Sequence, residues 1–178
     1  WKEARPEWAK LLGAARKNGM KSHNADTSCG MHVHASKSTY SSSKILKIME
    51  VFMKEESFFL EVSQRRAADL TAWASLSRAR KPELIALAKA KGGNVFRYMA
   101  LNLQNEKTIE YRLFRGTLLI ERFFKNLETV WALEDWAEKE SLLNINKGSF
   151  LEFVYRRQRA YPSLFSFLEE THRAELGG

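Results

Sequence analysis

The chain's pattern predicts an α+β fold, a small antiparallel sheet covered by helices. Three observations carry that expectation. Residues 31–36 alternate apolar and polar side chains, as a half-buried strand does. Residues 96–103 and 108–115 read as two strands of a hairpin, joined by Gln104-Asn105-Glu106-Lys107 with Asn105 as turn former. Much of the remaining chain repeats apolar residues at helical spacing.

The elements follow in order. Residues 6–17 are helical, with Trp8, Leu11, Leu12 and Ala15 at helical spacing and Asn18-Gly19 as the stop. Residues 22–30 are polar and read as a loop. Ser41-Ser42-Ser43 offers N-caps for a helix with Ile45, Ile48, Met49 and Phe52 on one face. A further helix is expected over 66–76, then a basic loop at 78–81. Pro82 opens a short helix over 83–91 that Gly92-Gly93 ends. The longest helix, 118–140, carries Ile120, Phe124, Leu127 and Trp131 on one stripe, with its Trp and Phe positions read as core. Helices at 149–160 and 163–173 are divided at Pro162.

Composition limits the function classes. A chain of 178 residues with 44% hydrophobic and 12% aromatic content is one domain, or part of one, with a real core. Apolar runs are broken by charges well short of the roughly 18 residues a membrane span requires, and no secretory apolar stretch is visible. The single Cys29 excludes an internal disulfide. A net charge of +8 admits nucleic acid, an anionic nucleotide or an acidic partner, but the positive residues are interspersed with acidic ones and form no basic tail. The first residue, Trp1, lies in an apparently helical pattern without a starting Met, which reads as a fragment or processed product. His23 and His172 are expected to be solvent-exposed, and Tyr98, Tyr111 and the tryptophans to be core.

Two segments can carry chemistry. In Cys29-Gly30-Met31-His32-Val33-His34-Ala35-Ser36, strand geometry puts His32 and His34 on one face and Met31, Val33 and Ala35 on the other. Paired imidazoles can bind a metal, grip a phosphate or do one of each; they can also be hydrogen-bonded sheet residues. Zinc is a poor match for one Cys and no ligand-like spacing to a third His. In Thr108-Ile109-Glu110-Tyr111-Arg112-Leu113-Phe114-Arg115-Gly116-Thr117, Glu110 and Arg112 share a face. They form either a surface ladder pair or a site joining a hard oxygen ligand to a planar phosphate fork. Gly116 allows a turn into the following helix, whose N-terminus favours anions. Cys29 has no evident activating base and reads as structural.

Gly30-Met31-His32-Val33-His34 followed by Ile109-Glu110-Tyr111-Arg112 resembles the late active-site strands of glutamine synthetase and glutamate–cysteine ligase. Cys29 to His34 and Thr108 to Leu118 are closer still to the amidoligases of bacteria and phages; Asn102 and the aromatic-rich helix after Phe52 also sit as that family has them. The resemblance runs from about Leu11 to Trp136. It implies a glutamine synthetase/glutamate–cysteine ligase-like catalytic fold, of which 1–178 is a single domain or a C-terminal part lacking the N-terminal strands. It further implies a cytoplasmic ATP- and Mg²⁺-dependent ligase that joins a small-molecule or peptide carboxylate to an amine through an acyl phosphate. By the same resemblance His32 and Glu110 bind metal, His34, Arg65 and Arg66 contact the nucleotide, and Arg112 and Arg115 act on the transferred phosphoryl group. For Arg65 and Arg66 a solvated helix start is the competing reading.

One departure accompanies the match. These ligases carry an early strand of the type Gly-x-Glu-x-Glu that supplies further metal ligands, and no such segment precedes Trp8. Lys2-Glu3 is in the wrong context, and Glu55-Glu56 reads as helical. The expectation is therefore either an upstream polypeptide that completes the site or a noncatalytic, structural relative. A basic nucleic-acid-binding module is the third reading, and it leaves both strand motifs unexplained.

Overall fold

The computed structural model describes residues 2–22, 29–68, 81–91 and 99–176. Within them the chain is α+β, with seven helices and a three-stranded antiparallel sheet of order β1-β3-β2. The helices are α1 (Arg5–Lys17), α2 (Ser42–Lys54), α3 (Glu56–Ser63), α4 (Lys81–Ala90), α5 (Ile120–Lys139), α6 (Lys147–Arg156) and α7 (Pro162–Leu176). The strands are β1 (Gly30–Ser36), β2 (Leu101–Asn102) and β3 (Thr108–Arg115).

Local chemistry sets several boundaries. Ser41 Oγ accepts from the Lys44 amide at 3.1 Å and caps α2, as the serine run suggests. Asn105 Oδ1 accepts from the Lys107 and Thr108 amides at 2.9 and 3.0 Å, forming the turn between β2 and β3. Glu55 interrupts the helical run at φ −117°, so α2 and α3 are separate helices and Glu55 itself is not helical. β2 is only two residues long, much shorter than the expected strand; residues 92–98, including Tyr98, lie outside the described residues. The same holds for most of the expected helix over 66–76, for His23 and for Trp1 and Trp73.

The core fills one face of the sheet. Ile109, Tyr111, Leu113 and Phe114 from β3 are fully buried against Ile48, Phe52 and Phe59 of α2 and α3 and against Trp136 of α5. Within it the Tyr111 and Tyr40 hydroxyls meet at 2.9 Å. Helix α5 is buried around much of its circumference, so its core residues include Phe124, Val130, Leu133 and Trp136. Two of its aromatic positions, Phe123 and Trp131, are only half-buried and border a cavity, Phe123 packing on Trp8 of α1 and Trp131 edge-on to Tyr161. His172 is not solvent-exposed as the sequence suggests: its side chain retains 10% exposure, lies 3.2 Å from Glu61 and packs on Phe58 at 5.3 Å between ring centroids.

A β-bulge shapes the other face. The β1–β3 register runs Ser36↔Thr108, Ala35↔Ile109, His34↔Glu110 and Val33↔Tyr111, then shifts so that Met31 meets Phe114 and Gly30 meets Arg115. One extra β3 residue is accommodated between these pairs. Leu113 and Phe114 are consequently both fully buried, although simple alternation would expose one of them. The shift also places Arg115 on the face of Gly30, His32 and His34. Strict alternation would have put it opposite.

Candidate functional site

Cross-strand pairing brings His32, His34, Glu110 and Arg112 together, with Glu110 at the centre. Its Oε1 is 2.6 Å from His32 Nδ1, 3.9 Å from His34 Nε2 and 3.0 Å from the Arg112 guanidinium. Its Oε2 accepts from Asn102 Nδ2 at 2.8 Å and from Arg112 at 3.2 Å. Asn102 reaches this position because it pairs directly with Glu110 across β2 and β3. His34 Nδ1 is held at 3.1 Å by the Thr108 hydroxyl, leaving its Nε2 on the cluster side. Thr108 is a positioning residue that the motif reading did not single out, although it belongs to the same strand.

The protonation states follow from these contacts. Burial pushes the Glu110 carboxyl up, but the Asn102 hydrogen bond, the Arg112 charge and His32 together outweigh it and hold it below the ordinary carboxylate value. Burial lowers the His32 imidazole below its ordinary value; Glu110 opposes this, while Arg112, Arg65 and His34 add to it. A neutral His32 donates Nδ1–H to Glu110 and presents the Nε2 lone pair away from it. A carboxylate fixing one imidazole nitrogen so that the other can ligate or accept is a recurrent arrangement around metals and phosphates.

Two arginines border the cluster. Arg65 donates from Nε to the Phe114 carbonyl at 3.1 Å and lays its guanidinium over Gly30. A Cβ at Gly30 would stand 2.0 Å from the Arg65 guanidinium nitrogen and 3.4 Å from His32 Nε2, so the glycine makes the space that Arg65 occupies. Arg112 uses its terminal nitrogen on Glu110, while its buried Nε has no hydrogen-bond partner among the described residues. Arg115 also lines a cavity of about 280 Å³ at the start of α5, with Arg16, Lys21 and Arg122. Arg66 is exposed in the turn that follows α3. Exposed Cys29 accepts from the Gly116 amide at 2.8 Å through its carbonyl.

The donor set suits phosphate better than a metal. Arg65, Arg112 and His34 offer cationic or neutral donors around one carboxylate. Mg²⁺ asks for about six oxygens in octahedral array. Glu110 is the one carboxylate in the cluster, and its oxygens are already engaged by Asn102, Arg112 and His32. No group of three or more His, Cys, Asp or Glu side chains is placed to hold a metal ion among the described residues. Residues 2–22 form a short 3₁₀ turn (Lys2–Ala4), α1 and its exit, so no strand bearing paired carboxylates stands before β1 among the described residues. The cluster alone therefore does not fit Mg²⁺.

Gly30→Ala separates the arginine's role from folding. The clash falls on the far end of a flexible side chain, so the melting temperature should stay within about 3 °C of the parent. If the cluster holds phosphate, ATP affinity read by titration calorimetry should drop severalfold as Arg65 is displaced. Unchanged ATP affinity would remove Arg65 from the site.

The chain matches no family model, no curated protein and no solved structure. No helix among the described residues is long and apolar enough to cross a membrane.

Proposed function

We propose that this chain carries the phosphate-binding face of an ATP-dependent carboxylate–amine ligase with a glutamine synthetase/glutamate–cysteine ligase-like fold, of the amidoligase kind. The observation that supports it best is the convergence of His32, His34, Glu110 and Arg112 from two strands on one side of the sheet. The substrate carboxylate attacks the γ-phosphorus of ATP; the bond to the bridging oxygen breaks and ADP leaves. The amine nitrogen then attacks the acyl carbon, the C–O bond to phosphate breaks, and the nitrogen loses a proton as the amide forms.

That chemistry needs alignment and charge neutralisation more than a protein nucleophile. Arg112 faces the charge that develops on the transferred phosphoryl group, His34 and Arg65 hold phosphate oxygens, and Arg115 adds positive potential at the far end of β3. Glu110 holds His32 in one tautomer and keeps Arg112 in place. Any Mg²⁺ that neutralises phosphate charge in a reaction of this class would have to take its oxygen ligands from outside this cluster, as from a further polypeptide segment. The carboxylate and amine are small molecules or peptides, and the reaction is a cytoplasmic one.

A noncatalytic relative that keeps the fold for assembly is favoured by a different observation. Glu110 is 8% exposed and has every oxygen engaged, which is also how a structural ion cluster looks. Nucleic-acid binding draws on the net charge alone.

Thermal melting with Mg²⁺–ATP distinguishes the first two, using this chain and a longer product that includes residues encoded upstream of Trp1. A ligase site gives stabilisation by nucleotide in the longer product, and His32→Ala weakens nucleotide binding at least tenfold. Absence of any shift in both forms favours the noncatalytic relative.

A further inference from the structure

A second site is built where α1, β3 and α5 meet. Arg5 in the first turn of α1 pairs with Glu121 of α5 at 2.6 Å, and Trp8 packs on Phe123 at 4.8 Å between ring centroids, so α1 lies against the start of α5. Asn18 and Gly19 end α1: the Met20 amide donates back to the Ala15 carbonyl at 3.0 Å, and Gly19 turns the chain at φ +74°. At the end of β3 the Gly116 amide donates to the Cys29 carbonyl at 2.8 Å. A Cβ at Gly116 would stand 2.8 Å from that same oxygen, so the glycine lets the end of β3 close on β1. These contacts set the exit of α1, the residues around Gly116 and the first turn of α5 about one cavity of about 280 Å³.

Its lining is cationic. Arg16 and Lys21 come from the end of α1 and its exit, Arg115 from β3 and Arg122 from α5, and no carboxylate lines it among the described residues. None of these four side chains has a hydrogen-bond or ion-pair partner among the described residues. Glu121, the carboxylate of the first turn of α5, is committed to Arg5 and Ser163. A cation in the last turn of α1 answers that helix's own dipole, which accounts for Arg16 but not for the other three. Leu119 at the N-cap of α5 supplies no side-chain hydrogen bond, so the positive end of a 20-residue helix adds to the same charge. Thr117, which also lines the cavity, accepts from the Leu119 amide at 3.0 Å through its hydroxyl oxygen and keeps its own proton to donate. Like charges gathered around a concavity repel one another, and an anion they share relieves that repulsion.

We propose that this cavity binds a tetrahedral oxyanion of phosphate chemistry, either inorganic phosphate or the phosphate group of a small ester. A planar carboxylate offers two oxygens to one guanidinium fork, whereas phosphate carries a charge approaching −2 and offers oxygens in several directions. Three arginines arriving from three different elements suit the second shape. The size agrees. A cavity of about 280 Å³ falls below the roughly 300–1,000 Å³ of sites for drug-sized ligands, which leaves room for a phosphate with a small body rather than for a nucleotide. Arg115 is shared with the His-bearing face of the sheet, but none of His32, His34, Glu110 and Arg112 lines this cavity. The inference therefore does not require the ligase reading.

The test is a calorimetric titration of the chain with inorganic phosphate at about pH 8, without nucleotide and with ionic strength held constant by sodium chloride so that screening does not change. Saturable binding is expected, with a dissociation constant on the order of 1 mM or tighter. Arg16→Gln and Arg122→Gln should each weaken it at least fivefold, and combining both with Lys21→Gln should abolish it. The melting temperature without phosphate should hold or rise in these variants, because they remove mutual repulsion and break no pair, so lost binding is not lost folding. His34→Ala should bind phosphate as the parent does. Glycerol 2-phosphate separates the two sources: an affinity like that of phosphate marks a site for an ester, and one at least tenfold weaker marks a site for the free ion. No saturation by roughly 20 mM phosphate overturns the proposal. So does binding that is lost in His34→Ala and kept in Arg122→Gln, which would put the anion on the β1–β3 face instead. Citrate binding more than tenfold tighter than phosphate would overturn the choice of a tetrahedral anion.

Discussion

Lys125→Met should make the protein more stable at pH 6, and it should flatten the rise in stability that the parent shows between about pH 7 and 9.5. Lys125 is 2% exposed in the second turn of α5. Its ammonium donates to the Val62 carbonyl and lies 4.9 Å from the Phe167 ring centroid and 5.8 Å from that of Phe114. Burial, helped by the Arg122 charge, lowers its pKa from 10.5 to about 7. Below pH 7 the residue is charged in both folded and unfolded chains, and the cost of burying the charge is fully present. Between its folded pKa and 10.5 the unfolded chain binds more protons, so stability rises with pH at up to about 1.4 kcal/mol per unit.

Methionine has the same reach without the charge and fills irregular space well. It leaves the Val62 carbonyl without its donor, a loss of about 1 kcal/mol. The net gain at pH 6 should still be on the order of 2 kcal/mol. Urea denaturation of parent and variant at pH 6, 8 and 9.5 measures both effects. The range stops there because burial raises the Tyr40 and Tyr111 hydroxyls well above their ordinary value, and their ionisation opposes stability at higher pH. A parent whose stability stays level from pH 7 to 9.5, relative to the variant, would show that the ammonium is hydrated where it sits.

What the sequence revealed depended on the range of the forces involved. The two chemically loaded strands were legible because side-chain alternation is local: His32 with His34, and Glu110 with Arg112, share a face by strand geometry alone. The Asn105 turn and the Ser41 cap were legible for the same reason. The bulge was not, since it depends on how β3 meets β1, and without it Arg115 would be assigned to the wrong face. The burial of Lys125 was equally hidden, because a lysine in an amphipathic pattern reads as exposed until a neighbouring helix covers it. Phe123 departs in the opposite sense. Aromatic residues at helical spacing read as core, yet Phe123 is half-buried beside a cavity and packs on Trp8 of α1, while Trp131 is half-buried but still packs against the core.

Glu110→Ala should lower folding stability by about 3 kcal/mol, and Glu110→Gln by roughly half that. Alanine leaves the half-buried Arg112 guanidinium beside His32 and Arg65 with no counter-charge and leaves Asn102 without its acceptor. Glutamine keeps the volume and an acceptor and removes the charge alone. The parent's Glu110 pKa is lowered on folding, so its contribution is present above the ordinary carboxylate value and is lost as pH falls through the lower folded value. His32 is also lowered, so keeping it neutral costs stability as pH falls below 6.5. Parent and Glu110→Gln should therefore converge in stability toward acid, and a gap that stays constant from pH 7 to 3 would mean the carboxylate is not ionised in the fold. Nucleotide binding supplies the decisive comparison. If the cluster is only a structural ion network, ATP is indifferent to both variants once the loss of folded protein is allowed for. A phosphate site instead loses ATP affinity by tenfold or more in Glu110→Gln under conditions where that variant is still fully folded, because Arg112 and the His32 tautomer both depend on the missing charge.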